Sequence, residues 1–396
     1  MKKRVGIRSM AAVTPLGDTA ATLWSAIQAD RQLCDRGVIS DALFMTLRKQ
    51  AQNHAAAMGF AYPAVQSLAS AGSKGAAQAQ NGPQQHSEFA DRSIELGTMA
   101  CMQALANAGW SADVCSRADT ALFVATSKGP ILRLLEACAM QRTGKSLPTD
   151  LAWHVALGPA ALQTVLAGII NPGGPVQTHI AACAGSLIGV QRAWNAIRRG
   201  ECKRAIVVAS DASIHPLFEH SFENLGVFAK RDNIGRRYCR PFDPSGGGFF
   251  ISEAAAAICL EAGDGENVEV ENCWLGADAT HLLAIDPTGA SLERGLRACA
   301  AERKVTFIQA HAAGTQHDRV EWAAITRVCG REAAVFSHKH WLGHCLGASG
   351  LLGLVISAMC HQHATLPLGP AISRPARSIT ISQGFGGHIG MCVLAG

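Results

Sequence analysis

The sequence predicts an α/β protein made of two similar halves, and three observations predict it. Glycine-rich turns join apolar strands to helical segments along the chain. The 40 glycines, with 48% hydrophobic and only 6% aromatic residues, suit tight helix–strand contacts. The segment "VQTHIAACAGSLIGVQRAWNAIRRGECKRAIVVAS" reads as strand, small-residue turn, long helix and strand. A later segment, "AAVFSHKHWLGHCLGASGLLGLVISAMCHQHATLPL", repeats that order; with Cys183 laid over Cys345, "CAGSLIGVQRAWNAI" falls on "CLGASGLLGLVISAM". This weak internal duplication divides the chain near Ser252 to Glu261, into halves 1–255 and 256–396. In such halves ligands sit beyond the strand ends, where helices begin.

The remaining elements follow in order. Residues 4–13 read as a first strand. "TPLGDTAATLWSAIQAD" reads as a turn and an amphipathic helix capped by Asp18 or Thr19. Residues 62–88 are low in complexity and rich in Ala, Gln, Gly and Ser, which predicts a mobile surface loop without chemistry. "DRSIELGTMACMQALANAGW" carries a helical apolar stripe that stops at Gly109, and "TALFVATS" is a strand. The run from Ala348 to Cys360 is too short for the roughly 20 apolar residues of a membrane span and predicts a buried helix.

Composition excludes several classes. A net charge of +5 over 396 residues is too diffuse for nucleic acid, and no aromatic-interleaved basic stripe is present. The 14 cysteines are scattered without a CxxC pair, which argues against a disulfide framework or zinc ribbon and for reduced cytosolic thiols. The N-terminal "MKKRVGIRSMAAVTPLG" imitates the head of a signal peptide, but Arg8, Pro15 and Gly17 break its apolar run. A cytoplasmic protein without a membrane span is expected.

Three positions draw the chemistry. Cys183 stands among small residues at a predicted helix start, where free N–H groups would lower a thiol's pKa; Ala184 and Gly185 leave room for an acyl group. A buried structural cysteine is the alternative. His311 in "IQAHAAGT" and His344 in "SHKHWLGHCLGASG" are each read at a strand exit beside small residues, which fits a site better than a core. The glycines of "SQGFGGHIG" let backbone approach a ligand. A metal site from His338, His340 and His344 is the rival reading; Lys339 opposes it and no further ligands complete a shell, so no metal is expected.

Taken in order, "MAAVTPLG", "ACAGS", "RPFDPSGGGFFISEAA", "AHAAGT", "SHKHWLGHCLGASG" and "GFGG" resemble the signature blocks of β-ketoacyl-acyl-carrier-protein synthases of the elongating Cys-His-His type. The resemblance covers nearly the whole chain outside the loop near residues 62–87. It implies a thiolase-like fold with a layered α-β-α-β-α core, and decarboxylative condensation of a malonyl unit with an acyl chain held on Cys183. It further implies that His311 and His344 polarise the malonyl thioester, that Lys339 supports them, and that Phe385 gates the acyl pocket. The N–H groups of Phe385 and Cys183 would form an oxyanion hole. No cofactor is implied, because substrates arrive on the phosphopantetheine arm of an acidic acyl carrier protein. A homodimer, or a heterodimer with a second ketosynthase-like chain, is expected. Lys230, Arg231, Arg236 and Arg237 are candidate docking contacts for the carrier, an ordinary solvated basic loop being the alternative.

The chain departs from the pattern at defined places. "HAAGT" has Ala313 for threonine, and Asp318 and Glu321 follow one residue closer than usual. Gly353 replaces a glutamate of the lysine network, and "GGG" (Gly246 to Gly248) replaces Arg-Asp-Gly before a helix glutamate, Glu253. His388 and Ile389 replace threonine and asparagine. These departures imply an active but divergent enzyme of a specialised pathway. A thiolase would need a second cysteine and an initiating synthase an asparagine at His344. A non-condensing partner subunit of chain-length-factor type would usually lack Cys183.

Overall fold

The computed structural model describes residues 3–60, 91–146, 155–245, 247–263 and 268–396. The low-complexity segment 62–88 lies outside them. Strand β1 (Val5–Val13) leads to α1 (Ala20–Gln28), whose start is fixed by a capping box between Thr19 and Thr22. After α2 (Asp41–Ala57) comes α3 (Arg92–Ala108), capped by the Asp91 side chain and ended by Gly109 at φ 69°. That left-handed backbone is the reason a glycine closes this helix. The first half continues through α4 (Ala112–Cys115), β2 (Thr120–Thr126), α5 (Ile131–Arg142), α6 (Ala161–Ile170) and β3 (Val176–Ile180). It closes with α7 (Gly185–Arg199), β4 (Arg204–Asp211), α8 (Pro216–Asn224) and β5 (Ala254–Ala262).

The second half runs β6 (Glu269–Ala277), α9 (Ala290–Ala300), β7 (Phe307–Gln309), α10 (His317–Cys329) and β8 (Ala334–Phe336). It ends with α11 (Lys339–Leu342), α12 (Ser349–His363), β9 (Arg377–Gly384) and β10 (His388–Ala395). The strands lie in the order β3-β2-β4-β5-β1-β6-β10-β9-β7-β8. Each half therefore arranges its strands third, second, fourth, fifth, first. The pairings match as well: β2 runs parallel to β3 and β4 as β7 does to β8 and β9, while β5 and β10 run antiparallel to both neighbours. The strand–helix–strand order read in the two sequence segments falls on β3-α7-β4 and, with the later β9 as its last strand, on β8-α12-β9; in each the helix joins parallel strands that flank a third, β2 or β7. The halves meet edge to edge where Gly6 of β1 opposes Glu269 of β6.

Alternate residues of each strand enter different cores, as a pleated strand requires. Phe123, Ala125, Val207 and Ala209 join α7 and α12 in a central layer that β6 and β10 share through Val270 and Leu394. The opposite faces, with Leu122, Val124, Ile206 and Val208, pack under α2, α3 and α6. In the second half Ile308, Ile379, Ile381 and Met391 pack under α9 and α10. Three helical layers thus enclose two half-sheets, with α7 and α12 in the middle. Ser349 through His361 of α12 are all buried, which accounts for the apolar run at Ala348–Cys360.

Three sequence expectations need correction. "ATLPL" is not a strand: Thr365 makes only an isolated bridge with Ala371, and the strand follows at Arg377. A short helix and a 3-10 turn (Leu346–Ala348) intervene before α12, so the gap-free overlay of Cys183 on Cys345 fails. Glu253 is not helical either. It precedes β5, where its carboxylate takes the Ile39 N–H at 2.6 Å and Arg92 Nε at 2.7 Å.

Candidate active site

The site forms where the starts of α7 and α12 touch. Gly350 makes that contact close, since a Cβ there would stand 2.6 Å from Ser186 Oγ; the Leu351 N–H instead donates to that oxygen at 3.0 Å. The nucleophile turn is tight: Ala182 has φ 47°, a left-handed conformation costing an alanine about 1 kcal/mol. Ser382 Oγ clamps the turn by donating to the Cys183 carbonyl at 2.7 Å. Gly384 must be a glycine, as a Cβ would lie 2.7 Å from Ala181 O. That is what the small residues around the thiol and in "SQGFGG" do.

Cys183, His311, His344 and Phe385 line one cavity, walled largely by Phe222, Leu225, Val227, Phe249, Leu283 and Ile285. The two imidazoles stand edge to face with ring centroids 5.6 Å apart. His311 Nδ1 accepts the Gln383 N–H at 3.2 Å, and His344 Nδ1 accepts the Leu346 N–H at 3.2 Å. Both rings therefore carry their proton on Nε2, the nitrogen left for the cavity. Burial, reinforced by Lys339, holds both well below the usual histidine range, so they are neutral. His311 follows β7 as expected. His344 does not leave a strand: it follows α11 and Gly343, where a Cβ would strike the Phe250 ring at 2.4 Å.

Lys339 is buried, and Nζ donates to the His311 carbonyl and stands 3.5 Å from His311 Nδ1. Burial lowers its pKa. The thiol also departs from expectation. Rather than being lowered at a helix start, Cys183 is pushed up to about 11 by burial, against the opposing pull of Lys339 and Lys128. Desolvation outweighs the end-of-helix field. Among the described residues the Phe385 N–H has no backbone acceptor, and the Cys183 N–H turns toward its own thiol.

The departures around the histidines have structural answers. Glu321 takes the His311 and Ala312 N–H groups at 2.8 Å each, and its carboxyl is raised to about 7 by burial. Asp318 takes the N–H groups of Ala313 at 3.0 Å and Gly314 at 2.9 Å. Both acids shape the "HAAGT" loop. At Gly353 a Cβ would come within 3.0 Å of Gln309 Cγ and 3.3 Å of His338 Nδ1. Gln309 and His338, bonded to each other at 3.1 Å, occupy the space a glutamate side chain would enter. Sequence reasoning missed this pair, because neither residue lies near Gly353 in the chain.

The metal reading is not supported by the geometry. His338 bonds Gln309, His340 bonds Gln32 at 2.7 Å and His344 bonds Ser349 at 3.0 Å. Among the described residues no group of three His, Cys, Asp or Glu could hold a metal ion. Nor is any described helix long and apolar enough to cross a membrane.

Comparison with known proteins bears on this site. Residues 2–264 match the family model "Beta-ketoacyl synthase, N-terminal domain", and residues 269–371 match the C-terminal domain of the same family. The chain belongs to the β-ketoacyl synthase family. It is 26% identical over 344 residues to an actinorhodin polyketide putative β-ketoacyl synthase 1 of Streptomyces coelicolor, covering 77% of this chain and 74% of that one. It is 30% identical over 250 residues to a 3-oxoacyl-[acyl-carrier-protein] synthase 2 of Mycobacterium leprae, covering 54% and 59%.

Solved structures agree on the thiolase-like fold. An ishigamide ketosynthase/chain length factor matches with TM-score 0.77 and 20% identity over 100% of this chain and 99% of that one. A ketosynthase in complex with its chain length factor from Xenorhabdus doucetiae matches with TM-score 0.79 and 17% identity over 99% and 98%. In this family setting, a thiol beside two neutral imidazoles makes a condensing, acyl-transfer type of site. Among the docking candidates, Arg231 pairs with Asp35 at 3.3 Å and Arg237 with Glu223 at 2.8 Å, while Lys230 and Arg236 are exposed. His388, at the start of β10, is exposed as well.

Proposed function

We propose that the chain performs decarboxylative condensation, joining a malonyl unit carried on acyl carrier protein to an acyl chain on Cys183. The observation that carries this reading is the pair of neutral imidazoles presenting Nε2–H groups to the cavity that holds the thiol. As placed, both rings donate, so they stabilise anions rather than take protons. The Lys339 and Lys128 fields and the α7 start draw a buried thiol toward the thiolate that accepts the acyl group.

The malonyl C2–C3 bond then breaks, its electron pair passes into the thioester and carbon dioxide leaves. His311 and His344 hold the resulting enolate oxygen, and each such donor is worth on the order of a hundredfold in rate. C2 attacks the acyl carbonyl, whose oxygen meets the Cys183 and Phe385 N–H groups, and the thiolate departs. Lys339 holds the His311 loop through its carbonyl. The carrier is acidic, and Lys230, Arg231 and Arg236 are exposed basic side chains on the loop that would meet it. A homodimer, or a pair with a second ketosynthase-like chain, completes the assembly; the Xenorhabdus doucetiae ketosynthase is described in complex with its chain length factor.

Intact mass tests the reading. Wild-type protein mixed with acyl-loaded carrier should gain the acyl mass, and Cys183→Ala should not. Malonyl carrier should then yield a β-keto chain two carbons longer. Reversing Lys230 and Arg236 to glutamate should slow loading and flatten its salt dependence. Absence of acyl mass on the wild type would reject the condensing reading in favour of a non-condensing partner subunit.

A further inference from the structure

Helix α8 walls the cavity with little core of its own. Of its nine residues only Glu219 and Phe222 are buried. Phe222 lines the cavity, edge to face with Phe249 at 5.2 Å between centroids and stacked on the Phe385 ring at 6.4 Å. Phe249 in turn stands edge to face with His344 at 4.9 Å. Beyond α8 the chain turns through Gly226, where a Cβ would meet nothing within 4 Å, and then bridges from Phe228 to Phe249. A helix with two buried side chains and an open turn behind it is not held in place by apolar burial alone.

Cations from three separate segments tie it instead. Arg36 makes a two-pronged pair with Glu219, Nε to Oε1 at 2.7 Å and Nη2 to Oε2 at 2.5 Å. Lys128, just past the end of β2, places Nζ 5.0 Å from the centre of the Phe218 ring. Arg237 Nη2 donates to Glu223 Oε1 at 2.8 Å, while its guanidinium carbon lies 4.8 Å from the centre of the Phe228 ring. The two arginines belong to one frame. The Asp35 N–H donates to the Arg237 carbonyl at 2.9 Å, and the Arg237 N–H returns to Asp35 Oδ1 at 3.1 Å. Glu219 and Glu223 are one helical turn apart, so this frame grips α8 at two points with Phe222 between them in the chain.

Arg237 is therefore turned inward. Its side chain is 20% exposed, against 56% for Arg231 on the same turn. We infer that Arg36 and Arg237 are positioning residues that set the α8 wall, and through Phe222 the length of acyl chain the cavity admits. The inference rests on the proposed condensation for the identity of that chain, and it takes Arg237 out of the carrier-docking set. A planar guanidinium can hold a carboxylate along its edge and cover a ring with its face at once, which a lysine ammonium cannot. Glu219 is buried, so its pair is screened less than a surface pair. An apolar pocket discriminates steeply by size, one methylene being worth about tenfold or more, so a small shift of Phe222 changes which chains fit.

Alkylation of Cys183 tests this without carrier or condensation. N-ethyl and N-octyl iodoacetamide deliver a short and a long chain to the thiol, and the mass of the peptide that carries Cys183 reports each rate. Arg237→Met and Arg36→Met should raise the octyl-to-ethyl rate ratio about fivefold or more, as Phe222→Ala should. Arg237→Lys, which keeps the charge but not the planar cover on Phe228, should recover part of the wild-type ratio. Adding Arg237→Met to Phe222→Ala should change the ratio little, because the arginine acts through that ring. A ratio within about twofold of wild type in both arginine variants would overturn the assignment. So would both rates falling by one common factor, the signature of a structural role. Loading from carrier proteins that bear a short or a long acyl chain separates this from the condensing reading. A wild type alkylated selectively by length yet never acylated would overturn the condensation and leave the α8 wall assigned.

Discussion

Cys183 shows how a residue acquires a role from its neighbours. A thiol raised to about 11 by burial is inert by itself, and its reactivity depends on the lysine fields and N–H donors placed around it. Phe385 is a second case. It is 38% exposed at the cavity wall, and its ring stacks on Phe222 with centroids 6.4 Å apart. A side chain half in solvent and held by one ring contact can swing, which suits a gate. Phe385→Ala should shift the distribution of product chain lengths measured by mass spectrometry, while total turnover falls by less than about tenfold. An unchanged length profile would remove its gating role.

At the scale of elements, the decisive feature is the closure of α12 onto the end of β2. Gly347, in the 3-10 turn before α12, donates its N–H to Asp211 at 3.2 Å. Asp211 also accepts from the Ser127 and Ser213 side chains, tying the ends of β2 and β4 to that turn. A Cβ at Gly347 would lie 2.3 Å from Ser127 N and 2.7 Å from the Thr126 carbonyl carbon, both backbone atoms that cannot yield cheaply. Gly347→Ala should therefore cost about 1–3 kcal/mol in urea unfolding and displace the adjoining His344 turn, lowering activity as well. A stability within about 0.5 kcal/mol of wild type would show that the turn has more room than this packing implies.

For the whole molecule, the buried titratable groups set a pH dependence. Burial holds His311, His338 and His344 well below 6.5, and His361 at about 4. In the unfolded chain these rings take up protons below about 6.5, whereas folded they do not, so acidification favours unfolding. Glu321, raised to about 7, and Asp91, also raised, act in the opposite sense, since their folded carboxyls keep protons that the unfolded ones lose. His179 and His340 are lowered by burial as well, so among the described residues six histidines act against two carboxyls and the histidines control the balance. The urea midpoint should fall between pH 7 and pH 5, and His361→Gln, remote from the site, should flatten that slope. A midpoint that rises on acidification would reject this balance.

The sequence by itself determined what is local or periodic. Thr19 and Asp91 specify helix starts through their own side chains, and Gly109 a helix end through its backbone freedom. The small-residue turns between strands and helices announced two α/β halves. Cys183, His311 and His344 were singled out by the ordered blocks that resemble those of β-ketoacyl synthases, to which the small residues around each added support.

Tertiary structure decided what depends on residues distant in the chain. Whether Cys183 ionises depends on the burial that α7 and α12 create together. The absence of a glutamate at Gly353 becomes intelligible only once Gln309 and His338 are seen filling its space. Gln383 reads as one more polar residue on a strand until the sheet sets it on the cavity wall, buried, with its Oε1 unpartnered among the described residues. Hydrogen-bond satisfaction and desolvation are properties of the folded neighbourhood, and a linear pattern of residue types does not contain them.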